Sequence, residues 1–284
     1  MVFNDVFVVI VLYKKSLSNA ETIITLSEFL TLPVDIFVFD NSPDRQYDEE
    51  YFDYKNFKVK YFHDGSNPGI SIAYNLAIDE AVKIDKKWIL LLDQDTIFTR
   101  QFVLEVSSFN FMKLNIDTVA IIPKVVSLEN NIISPAKMYL GGLCMPKKTD
   151  SGLAHGALTG INSGTIINVQ FIRKIGGFDR SFALDMLDHW YFREIYRLNK
   201  KVFVLNSLIY QNLSVAGDFE KEVSVARYYK MLVAEKLFVR QDGTFAYGIF
   251  ILRLLRRALK QMRFKNKQYF FVSLRAIFNL NPRL

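Results

Sequence analysis

The stretch 88–96 constrains the fold of this chain more than any other. Five apolar residues lead directly into Asp93, Gln94 and Asp95. Alternate side chains of extended backbone share a face, so Asp93 and Asp95 point the same way. An entirely apolar strand is typical of the centre of a parallel sheet, and such sheets bind ligands at the carboxyl ends of their strands. Two carboxylates there can hold a divalent cation, which can hold a diphosphate; the alternative is a turn whose aspartates only cap the next helix.

Composition indicates a folded protein. The chain has 284 residues, of which 50% are hydrophobic and 23% charged, enough for a full core. A single cysteine, Cys144, excludes a disulfide framework and a cysteine-based metal cluster. No apolar run approaches the ~18–20 residues that span a bilayer, and no signal peptide is recognisable, so a cytosolic location is expected.

The net charge of +7 is unevenly distributed. Residues 240–284 contain ten Lys and Arg and one acid, whereas the rest of the chain has 26 basic and 28 acidic residues. The basic character therefore belongs to the tail, and nucleic-acid binding by the main domain is not predicted.

Strands and helices alternate through the first half. Predicted strands cover 6–12, 35–39, 57–62 and the segment before Asp93, with helices over 18–30 and 70–83. In the second half, strands are predicted at 119–123, 138–144, 201–205 and 207–210, and helices at 170–174 and 183–198. This order predicts an α/β domain with a mostly parallel sheet over residues 1–215. Residues 216–284 are expected to form a helical, basic extension.

Two further segments carry candidate binding residues. Asp40 directly follows the second strand, where it can bind a nucleotide base or ribose, or can form an ordinary Asx-turn with its neighbours. Asn67 and Gly69 precede the 70–83 helix, which carries Asn75. These amides can bind sugar or nucleotide hydroxyls at the helix N-terminus; the alternative is capping by Asn67 with Asn75 solvated.

The order of these pieces resembles the inverting family 2 glycosyltransferases, which have a GT-A (Rossmann-like) fold. The pieces are a strand ending at Tyr13, a strand ending at Asp40, the Asn-Pro-Gly-Ile segment 67–70, and Asp-Gln-Asp at 93–95. Gly-Gly-Phe-Asp at 176–179 and Leu-Asp-Met-Leu-Asp-His at 184–189 are most similar to the rhamnosyltransferase branch. The resemblance covers residues 5–215.

The resemblance implies a role for each matched residue. Tyr13 and Asp40 would flank the nucleotide base, and Asn67, Gly69 and Asn75 would lie near the ribose or sugar of the donor substrate. Asp93 would contact ribose or a metal-bound water, while Asp95 would bind Mg²⁺ or Mn²⁺ directly. This metal would stabilise the charge of the departing nucleoside diphosphate. Asn162, Ser163 and Gly164 would line the acceptor side.

Transfer also requires a base for the acceptor hydroxyl. The resemblance gives this role to Asp188, with Asp185 supporting it or binding the acceptor. Both fall in the predicted 183–198 helix, three residues apart on one face. The alternative is a surface acidic helix whose aspartates pair with Arg193 or Arg197.

The chain departs from the family pattern in two places. Gln211 stands where members often have a histidine at the metal site, and the spacing from Asp188 to Arg193 is about one residue off. Metal dependence is therefore expected to be weaker, or another group completes the coordination. His189 is expected to be structural or to contact the acceptor.

The tail carries a basic stripe at helical spacing, formed by Arg253, Arg256, Arg257, Lys260 and Arg263. An apolar face accompanies it, formed by Ile251, Leu254, Leu255, Ala258, Leu259 and Met262. Such a helix fits an anionic membrane surface; the alternative is packing against the catalytic domain or a second subunit.

The expected function is transfer of a sugar from a nucleoside-diphosphate donor to a lipid-linked or oligosaccharide acceptor of a bacterial surface glycan. The resemblance favours dTDP-rhamnose as donor and leaves UDP-sugars open, with the protein at the inner face of the cell membrane. One rival is a nucleotidyltransferase, which usually has a glycine-rich loop that 13–15 lacks. The other is a non-catalytic glycan- or membrane-binding subunit, which Gln211 keeps open.

Overall fold

A computed structural model describes residues 5–211 and 219–278 of the chain. These residues form two compact units. One unit comprises 5–137 and 146–211, and the other comprises 138–145 and 219–278. Within the described residues, no helix is both long enough and apolar enough to cross a membrane.

The elements are numbered in chain order. The strands are β1 Val6–Leu12, β2 Val34–Asp40, β3 Tyr51–Tyr54, β4 Phe57–His63, β5 Trp88–Leu92, β6 Thr96–Ile97, β7 Thr118–Val126, β8 Ile132–Ser134, β9 Ala136–Tyr139, β10 Leu143–Pro146, β11 Gly152–Leu153, β12 Leu158–Thr159, β13 Ile166–Asn168 and β14 Lys201–Gln211. The helices are α1 Glu21–Phe29, α2 Ile70–Lys83, α3 Arg100–Ser108, α4 Val169–Lys174, α5 Leu187–Arg197, α6 Phe219–Glu222, α7 Val225–Arg240, α8 Thr244–Gln261 and α9 Gln268–Phe278.

The first unit is built on a mixed, mostly parallel sheet. Its strands lie in the order β11-β14-β7-β13-β5-β1-β2-β4-β3. The β5-β1-β2-β4 block is parallel, and β13 is inserted antiparallel between β5 and β7. β1 and β5 are buried along nearly their whole length because both sheet faces are covered, which explains their continuous apolar sequences. The predicted α/β class with a helical C-terminal region is confirmed.

Three predicted elements differ from the structure. Helix α5 begins at Leu187 rather than at 183, because Met186 adopts a left-handed backbone with φ of 67°. The predicted strand 138–144 is interrupted by a turn at Gly141 and Gly142, which both have positive φ. The two predicted strands at 201–210 form one strand, β14, whose register against β7 shifts between Val204 and Leu208.

The second unit is a helical bundle with an internal polar network. The Ser273 hydroxyl lies 2.5 Å from the Tyr228 hydroxyl and 2.6 Å from the Gln261 side-chain oxygen, all within the buried interior. Arg257 forms a two-pronged ion pair with Glu235 at 2.9 and 3.2 Å. The segment 138–145 packs into this bundle, since a Cβ at Gly141 would meet Ile249 and one at Gly142 would meet Val239.

Candidate active site

Loops that follow β1, β2 and β5 meet at one edge of the sheet. The backbone N–H of Tyr13 donates to Oε1 of Gln94 at 2.9 Å, which ties the first loop to the acidic turn. The backbone N–H of Lys14 donates to Oγ of Ser42 at 2.8 Å, which ties the first loop to the loop after β2. The carboxyl ends of three parallel strands therefore form one rim, as the strand order requires.

Asp93 lies at the centre of this rim. The Ser163 hydroxyl donates to its Oδ2, and Nε2 of Gln211 lies 3.4 Å from the same oxygen. The pKa of Asp93 is raised to about 6; burial is the main cause, and the charges of Asp95 and Asp188 act in the same direction, against the lowering effect of its hydrogen bonds. Asp95 and Asp188 therefore both act electrostatically on Asp93.

Asp95 is exposed on the same turn. Neighbouring atoms still remove part of its hydration, which raises its pKa; the charge of Glu21 acts in the same direction, whereas Lys15 lowers the pKa. Lys15 and Glu21 form an ion pair with each other. Asp95 therefore presents a carboxylate to solvent with a lysine nearby.

Helix α1 holds this acidic turn in shape through Thr22, a residue that the sequence reasoning did not identify. Thr22 is fully buried, and its hydroxyl contacts the backbone oxygens of Asp93 and Thr96. The Thr96 backbone N–H donates to the same hydroxyl at 3.1 Å. The only sequence signal was a polar residue on the buried side of an amphipathic helix.

Asp188 occupies the first turn of α5 and is partly buried. Its Oδ1 accepts the backbone N–H of His189 at 2.7 Å. Asp185 precedes the helix, so the predicted pairing of Asp185 and Asp188 on one helix face is wrong. Arg197 pairs with Glu194, at 2.9 Å, rather than with either aspartate.

The phenol of Tyr74 lies close to these carboxylates. Tyr74 is fully buried, and its hydroxyl has no hydrogen-bond partner within the described residues. Burial raises its pKa most, and the charges of Asp93 and Asp188 raise it further. Its ring packs on Phe178, with ring centres 5.4 Å apart. Tyr74 is a second residue of this region that the sequence reasoning missed, because an apolar helix face with a tyrosine reads as ordinary core.

Asp40 has a different environment. It is fully buried and accepts hydrogen bonds from the Ser42 backbone at 2.9 Å, from Nε2 of Gln46 at 2.9 Å and from the Tyr61 hydroxyl at 2.7 Å. Burial is the main cause that raises the pKa of Tyr61 to about 12, and its bond to Asp40 contributes. The bond to Ser42 is the Asx-turn that the sequence left open as an alternative.

The segment around the N-terminus of α2 serves to fix the backbone. Gly69 caps α2 with φ of 99° and lies against Ala183, so a side chain there would collide with the Ala183 backbone. Asn75 exchanges hydrogen bonds with the backbone of Phe178 at 2.8 and 2.9 Å. Asn67 is exposed, has φ of 52°, and does not cap α2. The alternative reading, capping by Asn67 with a solvated Asn75, is therefore wrong.

The small-residue segment 162–164 lies beside the acidic turn. The Gly164 backbone N–H donates to the Leu91 carbonyl at 2.9 Å, and Ser163 contacts both Asp93 and Gln211. The Asn162 carbonyl accepts the Thr165 N–H at 2.9 Å. These contacts place Ser163 against Asp93. His189 bonds to the Thr159 hydroxyl at 2.6 Å, which suits the structural role expected for it.

An open cavity of about 590 Å³ adjoins the rim on the β1–β2 side. It is lined by Lys14, Lys15, Ser16, Asn19, Ser42, Pro43, Asp44 and Gln46. Two lysines and several hydroxyl and amide groups can bind an anion with polar substituents. Tyr13, 43% exposed, offers an aromatic ring at the end of the adjoining strand.

The group that stands at the expected histidine position is an amide. Gln211 is buried at the end of β14, and its Oε1 lies 2.7 Å from the Ser163 Oγ. Across the part of the chain that the structure describes, no three His, Cys, Asp or Glu side chains gather into a metal-binding group. The oxygen donors available are the Asp93 and Asp95 carboxylates and the Gln211 amide, which suit a hard divalent cation such as Mg²⁺ or Mn²⁺.

Comparison with known proteins identifies the family of the first unit. The sequence model described as Glycosyl transferase family 2 matches residues 7–176. No curated protein matches the chain. The match covers more than half of the chain and ends before Asp185, Asp188 and Gln211.

Several solved structures share the fold. The mannosyltransferase PcManGT from Pyrobaculum calidifontis, solved with GDP-Man and Mn²⁺, has a TM-score of 0.51 at 10% identity, over 96% of this chain and 73% of its own. S. aureus TarS 1–349 with UDP-GlcNAc gives 0.51 at 15% identity, over 95% and 81%. GalNAc-T7 with UDP, GalNAc and Mn²⁺ gives 0.50 at 14% identity over 81% of this chain, which spans 47% of that protein. These similarities confirm a GT-A-like fold.

Proposed function

Because the chain belongs to glycosyl transferase family 2, we propose that it transfers a sugar from a nucleoside-diphosphate donor to an acceptor hydroxyl at the rim described above. The observation that carries this proposal is the coupling of Asp93, Asp95 and Asp188. The charges of Asp95 and Asp188 both act on Asp93 and contribute to its raised pKa, as expected where a cation and a proton transfer are handled close together.

Asp95, Asp93 and the Gln211 amide would hold the divalent cation. When bound, the cation supplies positive charge that stabilises the departing nucleoside diphosphate. Lys15 lies near Asp95 and lines the adjoining cavity, where it can contribute further positive charge to the diphosphate. Gln211 offers a neutral amide oxygen where family members often have an imidazole nitrogen, so the weaker metal dependence expected from the sequence stays a prediction.

Asp188 is the proposed general base. It takes the proton of the acceptor hydroxyl as that oxygen attacks the anomeric carbon and the bond to the diphosphate oxygen breaks. Attack on the face opposite the leaving group inverts the anomeric centre. Asp185, Asn162, Ser163 and Gly164 belong to the acceptor side in this proposal, and the contact between Ser163 and Asp93 joins the acceptor side to the cation site.

The donor substrate would enter through the cavity beside Tyr13. The exposed Tyr13 ring can stack on the nucleotide base, and the loop held by Asp40 would form the wall of the base site. Asn67, Gly69 and Asn75 would lie near the ribose or sugar of the donor, with Asn75 fixing the backbone at Phe178. We favour dTDP-rhamnose, with UDP-sugars second, because of the Asp-Gln-Asp and Leu-Asp-Met-Leu-Asp-His segments.

The proposed acceptor is a growing, lipid-linked glycan at the inner face of the cell membrane. The second unit supports this location because its last two helices combine cations with exposed apolar side chains. A lipid-linked substrate lies in the bilayer, so an enzyme held at the surface meets it in two dimensions.

A thermal-shift panel tests the proposed function. The full chain is heated with UDP, dTDP or GDP, and with dTDP-rhamnose or UDP-GlcNAc, each with and without Mn²⁺. A ligand at 100 times its Kd stabilises the folded protein by about 2.7 kcal/mol, which raises the Tm measurably. Stabilisation by one nucleotide that requires Mn²⁺ and is lost in Asp95→Asn is the expected result. No nucleotide-dependent shift under any condition contradicts the proposal.

A further inference from the structure

The segment 243–278 contains no acidic residue. It holds eight Lys and Arg residues, and it includes both α8 and α9. No negatively charged side chain within this segment can therefore pair with its positive charges. Its cations are therefore either bound to acceptors within the second unit or available to an external anion.

The cations of α8, together with Arg263 in the turn that follows it, divide into these two classes. Arg257 is paired with Glu235, and Arg253 donates to the Gly141 carbonyl. In contrast, Arg256, Lys260 and Arg263 are exposed, and their side chains form no ion pair within the described residues. The basic stripe predicted from sequence is thus only partly available, because two of its five members stabilise the bundle.

The apolar residues of α8 divide in the same way. Phe250, Leu254 and Ala258 are buried in the second unit. A second apolar stripe faces solvent. Its members are Phe245 at 75% exposure, Leu252 at 68%, Leu255 at 43%, Leu259 at 56% and the C-cap residue Met262 at 53%. Their spacings of seven, three, four and three residues place them on one side of the helix.

The free cations border this stripe. Arg256 follows Leu252 by four residues, and Arg263 follows Leu259 by four, so each lies one turn from an exposed leucine. An 18-residue helix is roughly 27 Å long, enough for a continuous contact. We define the α8 outer surface as Phe245, Leu252, Leu255, Leu259, Met262, Arg256, Lys260 and Arg263.

We propose that the α8 outer surface lies in the interface of an anionic lipid bilayer, with its leucines among the acyl chains and its cations at the headgroups. This inference rests on the proposed membrane location and identifies the surface responsible. Charge decides the occupant: a second copy would bring the same cations against this surface, whereas anionic headgroups complement them. The helix lies in the plane of the membrane, as amphipathic helices with a basic border do.

Vesicle flotation with the full chain tests this assignment. The probes are vesicles of phosphatidylcholine alone and of phosphatidylcholine with 30% phosphatidylglycerol. We expect binding to the anionic vesicles and at least tenfold weaker binding to the neutral ones. Each lost cation should weaken binding about fivefold, so Arg256→Gln with Lys260→Gln should weaken it by roughly 25-fold. Leu252→Gln with Leu259→Gln should weaken it at least as much.

A matched control uses exposed residues of the first unit. Leu104 has the same 56% exposure as Leu259, and Lys113 is an exposed cation. Leu104→Gln with Lys113→Gln should leave vesicle binding unchanged within twofold. Equal effects of the control and the α8 variants would overturn the assignment, as would no binding by the wild type.

Two further measurements separate the possible failures. If the α8 leucines join two copies, sedimentation without vesicles will show a dimer that Leu252→Gln with Leu259→Gln dissociates, and the bilayer assignment is overturned. The nucleotide-dependent thermal shift reports on the first unit. Its persistence without vesicle binding overturns only this inference, whereas vesicle binding without any nucleotide shift overturns only the proposed function.

Discussion

Asp40 ends strand β2 and Asp93 follows strand β5; these two strands flank the same central strand, yet the two aspartates have opposite environments. Asp40 is enclosed by a backbone N–H, an amide and a phenol, all of which donate to it. Asp93 has the Ser163 hydroxyl and a distant amide, and two other carboxylates act on it. Three donors therefore satisfy the Asp40 carboxylate, whereas two further negative charges act on the Asp93 carboxylate.

The difference shows that one sequence pattern can produce either a structural aspartate or an aspartate of the candidate active site. Both sites read as an apolar strand that ends in aspartate. Donors supplied by Gln46 and Tyr61 make Asp40 part of the loop that it terminates. The site at Asp93 instead gathers acids from two separate segments, an arrangement that costs stability unless a cation binds.

The largest expected effect comes from the acidic end. Asp188→Asn keeps the shape of the side chain but removes its ability to accept a proton, so we expect kcat to fall at least 10³-fold with little change in Tm. The measurement is release of nucleoside diphosphate in the presence of acceptor. Asp150→Asn, at an exposed position of the same unit, is the control and should keep wild-type activity. Retained turnover in Asp188→Asn would remove this residue from the base role.

A smaller effect is expected for Asp40, and it concerns the free energy of unfolding rather than activity. Asp40→Ala leaves the Gln46 amide, the Tyr61 hydroxyl and the Ser42 N–H without their acceptor inside the protein. Leaving buried donors unpaired should lower the free energy of unfolding by about 3 kcal/mol. Urea denaturation measures this change, with exposed Asp44→Ala of the same loop as control. If Asp40→Ala is as stable as Asp44→Ala, the two strand ends do not differ as described.

The smallest effect concerns the pH dependence of Asp93. Its folded pKa of about 6 lies above the unfolded value of about 3.9, so the folded state binds the proton more tightly. The stability from this group is fully present below pH ~4 and is lost as pH rises through ~6. Asp93→Asn should therefore match wild type near pH 4 and exceed it by about 2 kcal/mol at pH 7. Thermal unfolding without metal measures the difference, and a constant gap across this range would contradict the assignment.

Much of the first unit could be predicted, because a strand that is buried on both faces consists of an unbroken run of apolar residues. The apolar segments 6–12 and 88–92 became β1 and β5 with the expected bounds. The shape of β14 could not be predicted, because Glu105 of α3 accepts the backbone N–H groups of Asn206 and Ser207. A carboxylate about one hundred residues away stabilises that irregular stretch of β14, and local pattern carries no trace of it.

The candidate site shows the same limit. Acidic residues at strand ends were visible, because strand direction and alternation determine where they point. The start of α5 was not, since the left-handed Met186 breaks the helix pattern without glycine or proline. The roles of Thr22 and Tyr74 depend on what packs against them, which a single sequence does not record.

The eight residues 138–145 change what the C-terminal part of the chain is. They belong to the second unit, although the residues on either side of them belong to the first. Within the second unit, Gly141 lies against Ile249 and Gly142 lies against Val239. The polypeptide therefore connects the bundle to the rest of the chain at two places, through segment 138–145 and through the residues that precede α6. Truncation of the protein after β14 would remove the residues that segment 138–145 contacts. The helical bundle therefore cannot be removed without exposing part of the remaining chain.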